Sequence, residues 1–346
     1  MYRKGKQFNK IWMLPCLAAV FVTGVFGQSD PPRPPSHPLP VDRSKRPPYT
    51  KKFPAIYIGE RSTNEKSIAV DPNVEMKICV LEGKLKINGW ARDEVRVFVK
   101  NGSSITLKVL EKNAAGKPVW LRVTGSTGPG DQPSPRTDCL SGENIELDVP
   151  MRASLNLEGR VTETTVDSVK KVAVKNIGGN IFLHNITGGI TASTYEGDVT
   201  VENSGGQISL VSSTGNIVAF EVSPGQIGDI FRAKTSNGAI SLQRVDHRQI
   251  EANSISGSVL FNGKFLSGGL YNFKTSNGSI RMTLPVESSF QIIASYGFGS
   301  FNSDIPLKTI LENVTSGGKS LHGMIGAGDA TLNLTTNSGS IGIKKQ

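Results

Sequence analysis

Four histidines and three cysteines in 346 residues leave little from which to build a metal centre, and none of His37, His184, His247 or His322 stands at a ligand spacing from another His, Cys or carboxylate. Solvated or edge-strand histidines are the expected reading. Aromatic side chains make up only 7% of the chain, and its basic residues are spread out. Nucleic-acid binding calls for clustered positive charge with stacking aromatics between, so it is excluded as a function class. No segment has the apolar spacing of an amphipathic helix. The Gly-x-Gly pieces at Gly297–Gly299 and Gly326–Gly328 therefore lack the strand-to-helix context of a nucleotide site. No cofactor is expected.

What is present begins with a basic stretch (Arg3, Lys4, Lys6, Lys10), then a 16-residue, mostly apolar run from Ile11 to Phe26 that ends on small residues at Val25 and Gly27. This predicts a secretory signal peptide over residues 1–27, cleaved after Gly27. The alternative is an uncleaved anchor, against which stand the run's length, short of the about 20 residues a bilayer needs, and Pro15. Cys16 does not make a lipoprotein site, because most of the apolar run follows it. Cleavage removes four basic and no acidic residues, lowering the formal charge from +10 to +6 over the remaining 319 residues. Residues 28–54 are expected to be a proline-rich linker: nine of the 25 residues from Asp30 to Pro54 are proline. Such a stretch extends instead of burying a core. The basic residues from Arg43 to Lys52 are read as solvated linker charge.

From Val74 onward apolar and polar residues alternate with period two. Met76, Ile78 and Val80 lead, Val95, Val97 and Val99 follow, and Gly and Asn break the pattern into short strands. Residues 125–142 are rich in turn formers and are expected to be a loop insertion. The two cysteines left after processing, Cys79 and Cys139, form either one disulfide or two separate buried thiols. Sequence cannot place their Cα atoms.

The strongest pattern is a repeat: a small polar residue, two residues, glycine, any residue, then apolar, any, apolar. Gly179, Gly188, Gly197, Gly206 and Gly215 carry it at a spacing of nine, and Gly238, Gly257, Gly278 and Gly339 carry it further on. The apolar pairs run from Ile181/Leu183 to Ile341/Ile343, and the residue three before each glycine is always Asn, Ser or Thr. Each glycine is predicted at a corner, where φ is positive or backbones approach closely, and each apolar pair in a shared core. The small polar side chain is expected to bond its own turn or to form a ladder between copies. A nine-residue unit cannot stand alone, so the units must stack. Spacings of 19 and 21 among Gly238, Gly257 and Gly278 suggest two units per coil and coils of about 18 to 21 residues. The predicted fold is all-β, a right-handed β-helix or β-roll-like solenoid over residues 55–346. An antiparallel β-sandwich is the alternative, because Asn237-Gly238 and Asn277-Gly278 are also hairpin signals.

The segment Leu81–Val99 (LEGKLKINGWARDEVRVFV), the repeated Thr-Ser-Asn-Gly-x-Ile, Leu284-Pro285, Ser303-Asp304-Ile305-Pro306-Leu307 and the closing stretch from Gly326-Ala327-Gly328 to Thr336–Ile341 together resemble the bacterial "putative-adhesin" domain family. The resemblance covers Val74 to Lys345, with the insertion near Gly125–Gly142 as its departure. It implies a β-helix-like fold in an exported envelope protein, and it supplies no catalytic residues.

Three functions follow in order. The first is a non-catalytic adhesin or surface-binding module that meets a glycan, matrix or envelope protein, with Tyr195, Phe220, Phe231, Tyr271 and Phe273 as candidate contact aromatics. The second is a periplasmic scaffold or sensor that pairs through an open edge, because Lys344-Lys345-Gln346 offers no cap and invites self-association. The third is a polysaccharide-active enzyme using Glu196, Asp198 and Glu202, or Asp229 and Asp246.

Overall fold

The computed structural model describes residues 63–126, 138–315 and 318–346. The expected signal peptide and linker lie outside them. All regular structure among the described residues is β.

The N-terminal strands are β1 (Thr63–Ala69), β2 (Glu75–Trp90), β3 (Glu94–Lys100), β4 (Ser104–Lys112), β5 (Pro118–Ser126), β6 (Leu140–Pro150) and β7 (Ser154–Asp167). The repeat forms β8 (Lys171–Gly178), β9 (Ile181–His184), β10 (Ile190–Glu196), β11 (Val199–Gly205), β12 (Ile208–Thr214), β13 (Ile217–Ser223), β14 (Ile230–Asn237), β15 (Ile240–Val245), β16 (Gln249–Ser256), β17 (Val259–Asn262), β18 (Leu270–Asn277) and β19 (Ile280–Leu284). The chain closes with β20 (Phe290–Tyr296), β21 (Phe301–Ser303), β22 (Lys308–Thr315), β23 (Gly318–Ile325), β24 (Thr331–Ser338) and β25 (Ile341–Lys345).

Alternate strands stack in parallel register and so build two faces. On the first, Leu155, Val172, Ile190, Ile208, Phe231, Ile250, Tyr271, Leu332 and Ile292 form one inward column. On the second, Val166, Leu183, Val201, Ala219, Leu242, Phe261, Met282 and Ile343 do the same. Every one of these side chains is buried. The long strands β2 and β7 run through both faces and pair with each other along nearly their whole length. This is a β-solenoid with two strands per coil. The antiparallel sandwich is excluded, because Asn237-Gly238 and Asn277-Gly278 lead from one face to the other and not into hairpins.

Stacked partners lie 18 residues apart at Val172, Ile190 and Ile208. The next interval, from Ile208 to Phe231, is 23, longer than the sequence suggests. Its extra length is the turn before β14, where the Asp229 carboxylate accepts from the N–H groups of Gly225 (2.8 Å) and Gln226 (3.0 Å).

The two ends depart from simple coil order in related ways. At one end β2 lies between β7 and the later strands β5 and β6, with β4 on β5, β3 on β6 and β1 on β3 added antiparallel. At the other, β24 lies between β18 and β20, and β25 between β19 and β21, while β23 and β22 add antiparallel beyond β20. Tyr296 ties this cap together: its phenol donates to Glu312 Oε1 at 2.9 Å, and burial, reinforced by that carboxylate, pushes its pKa up to about 12. Ile341–Ile343 of the final strand are thus covered by β19 and β21, while Lys344 and Lys345 pair with β19 alone. Even the Gln346 N–H donates to Leu284 O at 2.9 Å.

The structure joins Cys79 on β2 to Cys139 in a disulfide, with Cα atoms 4.7 Å apart. The expected loop is also shorter than Gly125–Gly142, because Gly125 and Ser126 end β5 and Leu140 to Gly142 begin β6.

Candidate binding groove

The repeat glycines are structural, and they occupy two corners. Gly179, Gly197, Gly215, Gly238, Gly257, Gly278 and Gly339 stack at one. A Cβ on Gly197, Gly215, Gly238, Gly257, Gly278 or Gly339 would stand 1.9 to 2.4 Å from the carbonyl oxygen of the glycine stacked before it. Gly188 and Gly206 lie at the other corner. There Gly189, not Gly188, takes the positive φ of 108°, while a Cβ on Gly188 would meet Lys170 O at 2.9 Å.

The small polar residue before each first-corner glycine does more than cap its own turn. Ser212, Thr235, Ser254, Thr275 and Thr336 donate their hydroxyls to Gly197, Gly215, Gly238, Gly257 and Gly278 carbonyls at 2.8 to 2.9 Å, one coil back each time. Thr194 reaches both the Gly179 carbonyl (3.3 Å) and its own turn at Glu196 O (3.1 Å). Asn176 opens the series by donating to Thr162 O at 2.9 Å.

Two of the acids singled out as enzymatic candidates, Asp198 and Asp229, serve the frame, while Glu196 and Glu202 are exposed and Asp246 is half-buried. Asp198 Oδ1 accepts from the Asn216 N–H at 2.7 Å, Asp229 caps its own turn, and Glu202 sits beside His184 on an exposed strand pair. His184 Nδ1 lies 3.1 Å from Asp167 Oδ1. His247 corrects the expectation of solvated histidines: it is fully buried, and Nε2 donates to Gly206 O at 2.9 Å while Nδ1 has no partner. Burial holds its pKa below the usual 6.5, partly opposed by the Gly206 bond and the charges of Asp229 and Asp246. Among the aromatics, Phe231, Tyr271 and Phe273 are core, Phe220 lies under the Arg244 guanidinium, and Tyr195 is exposed.

A different surface has the shape of a site. On the outer side of the second face, β15, β17, β19, β25 and β21 lie side by side and enclose an open groove of about 600 Å³. Strand register sets its lining. Ser241, Leu260, Arg281, Gly342 and Asn302 form one outward column, and Gln243, Asn262, Thr283 and Lys344 the next. Asp304 follows β21 and also lines the groove. Gly342 is the decisive position: a Cβ built there meets nothing within 4 Å, so the column has a notch between Arg281 and Asn302. Five strands at about 4.8 Å spacing make the floor roughly 19 Å across.

Two cations, Arg281 and Lys344, line this groove together with one acid, Asp304. Arg232 and Arg244, outward on nearby coils, pair with Glu251 (3.0 Å) and Glu221 (2.5 Å) on the adjacent strand. Among the described residues Arg281 and Lys344 have no carboxylate within 4.0 Å. No group of three or more His, Cys, Asp or Glu among the described residues is placed to hold a metal ion. Sequence reasoning missed the groove because the repeat weights inward and corner positions. The available signal was Gly342 itself, a glycine at the outward position between two inward isoleucines.

The sequence profile of the Toastrack family, DUF4097, matches residues 68–344, almost all of the described solenoid. The chain belongs to the Toastrack family. Two solved structures are also similar. One is described as "a putative cell adhesion protein" from Clostridium sporogenes, 12% identical, covering 82% of this chain and 100% of that one at a TM-score of 0.25. The other, "a putative adhesin" from Parabacteroides merdae, is 10% identical and covers 83% of this chain and 97% of that one at a TM-score of 0.30. No match was found among curated proteins. The Toastrack fold here is the β-helix-like solenoid described above. Among its described residues no helix is long and apolar enough to cross a membrane.

Proposed function

We propose that this Toastrack protein is an exported, non-catalytic binding module of the cell envelope, an adhesin in the broad sense, and that it takes its ligand in the groove across β15, β17, β19, β25 and β21. The observation that carries this reading is the Gly342 notch beside Arg281 and Lys344, two cations with no carboxylate within 4.0 Å among the described residues. Amides and hydroxyls supply half of the remaining lining, which suits reversible recognition of a polar surface. Against catalysis, Asp198 and Asp229 are engaged with backbone N–H groups. Export is supported by the sequence of residues 1–27.

The scaffold alternative rests on β21, which among the described residues pairs with β25 alone and presents its other edge. Protease accessibility in intact cells, with outer-membrane-permeabilised cells as control, tests display. Digestion only after permeabilisation rules out surface adhesion. The groove is tested by comparing adherence of cells carrying wild-type protein or Gly342→Trp to a polysaccharide-coated surface. Equal adherence overturns its assignment. Turnover of any polysaccharide, abolished by one Asp or Glu substitution, would restore the enzymatic alternative.

A further inference from the structure

We infer that the groove's ligand is a carboxylated polysaccharide, a sugar chain bearing spaced uronate-type carboxylates; this rests on the binding reading above. The first ground is charge. Arg281 and Lys344 lie on adjacent strands, β19 and β25, at diagonal positions of the register, since Arg281 pairs with Gly342 and Lys344 with Thr283. Diagonal neighbours across a strand pair are about 7 to 8 Å apart, so two cations stand along the groove and not at one point. A planar guanidinium recognises a carboxylate through two parallel N–H bonds, and the lysine adds a movable point charge.

The second ground is the neutral lining. Gln243, Asn262 and Asn302 each offer a donor and an acceptor, the complement of a sugar hydroxyl that also does both. Leu260 gives one apolar contact on the floor, where the C–H face of a ring can rest. No aromatic ring is presented outward among the groove's columns, which disfavours nucleic acid, whose bases need stacking platforms. Asp304 at the rim sets an upper limit on ligand charge, because a densely sulfated chain would bring anions against it.

The third ground is room. The Gly342 notch lies between Arg281 on β19 and the edge strand β21, with Lys344 two residues along its own strand, so a chain can enter there without displacing a side chain.

The test uses the mature protein with polygalacturonate, dextran sulfate and dextran in parallel calorimetric titrations. Binding of polygalacturonate that weakens with added salt, with dextran bound at least about tenfold more weakly, is expected. The double variant Arg281→Gln with Lys344→Gln should lose roughly tenfold in affinity. Lys108→Gln, on β4 at the far end of the solenoid, should lose nothing. Gly342→Trp should abolish binding with an unchanged circular dichroism spectrum, because its side chain enters open space. Dextran bound as tightly as polygalacturonate, with no effect of the double variant, overturns the inference and leaves the groove reading standing. Tightest binding of dextran sulfate likewise overturns the carboxylate assignment alone. Absence of binding to all three overturns the groove reading with it.

Discussion

Thr275→Val changes one hydroxyl to one methyl and tests the bond series that holds successive coils together. Thr275 is 1% exposed, and its Oγ1 donates to Gly257 O at 2.8 Å. The backbone ladder cannot replace that bond. At this corner it uses the carbonyls of Ser256 and Ser258, which accept from the N–H groups of Gly238 and Ile240, and steps over Gly257 between them. The glycine carbonyl is left to a side-chain hydroxyl from the next coil. Removing the hydroxyl at constant shape forfeits the bond and leaves a buried acceptor unpaired, a loss of about 1 to 3 kcal/mol. Taking about 2 kcal/mol, the thermal midpoint should fall by about 4 to 8 °C for a chain of this size.

Circular dichroism melts of wild type, Thr275→Val and Thr275→Ser make the comparison. Serine keeps the donor and gives up only a methyl group, as Ser212 and Ser254 do at equivalent places. Valine should therefore be the more damaging change, although it is the more apolar and fills the same volume. A valine variant within about 0.5 kcal/mol of wild type, or more stable than the serine variant, would refute the role assigned to this bond.

Gly238→Ala should cost more still, about 3 kcal/mol or above, because φ is 154° and the new Cβ would meet the Gly215 carbonyl oxygen at 2.1 Å; urea unfolding measures it. Replacing Cys79 and Cys139 with serine opens a loop of sequence separation 60, for which chain entropy gives a loss of about 4 kcal/mol, read as a lower urea midpoint. Stability should also fall as pH drops below 6.5: His247 has its folded pKa below its unfolded value, so in that range the unfolded chain binds more protons and is favoured. His247→Gln keeps a donor toward Gly206 O and should flatten the urea midpoint between pH 7.5 and about pH 5.

Much of the frame was legible because it repeats. Ile181/Leu183 and the eight pairs like it point inward, and the spacings of 19 and 21 among Gly238, Gly257 and Gly278 already gave the two-unit coil, while only the parallel pairing excludes the sandwich. The ends were not legible. Nothing local in Thr331–Lys345 says that it will insert between coils laid down earlier, since β24 and β25 carry the same pattern as any internal coil. The burial of His247 was hidden for a related reason: it lies outside the repeat, in the connection between β15 and β16, where no periodicity marks which side faces in.

The groove was hidden by the economy of the repeat itself. Folding constrains the inward residues and the corner, and Ile341-Gly342-Ile343 meets that requirement as fully as Ile280-Arg281-Met282 does one coil away. The residue between the two inward positions carries no structural instruction, so an arginine, a leucine or a glycine can stand there without altering the stack. A ligand surface can therefore be written entirely in positions that the fold ignores, and it becomes visible only when register aligns them. Columns such as Ser241, Leu260, Arg281, Gly342 and Asn302 draw on residues up to about a hundred positions apart in sequence, and only the coil intervals bring them together. A residue added in a turn is absorbed there, as the 23-residue interval from Ile208 to Phe231 is, because inward and outward residues share one strand and keep one register. Recognition in such a protein therefore changes by substitution at the outward positions, with the stack left in place.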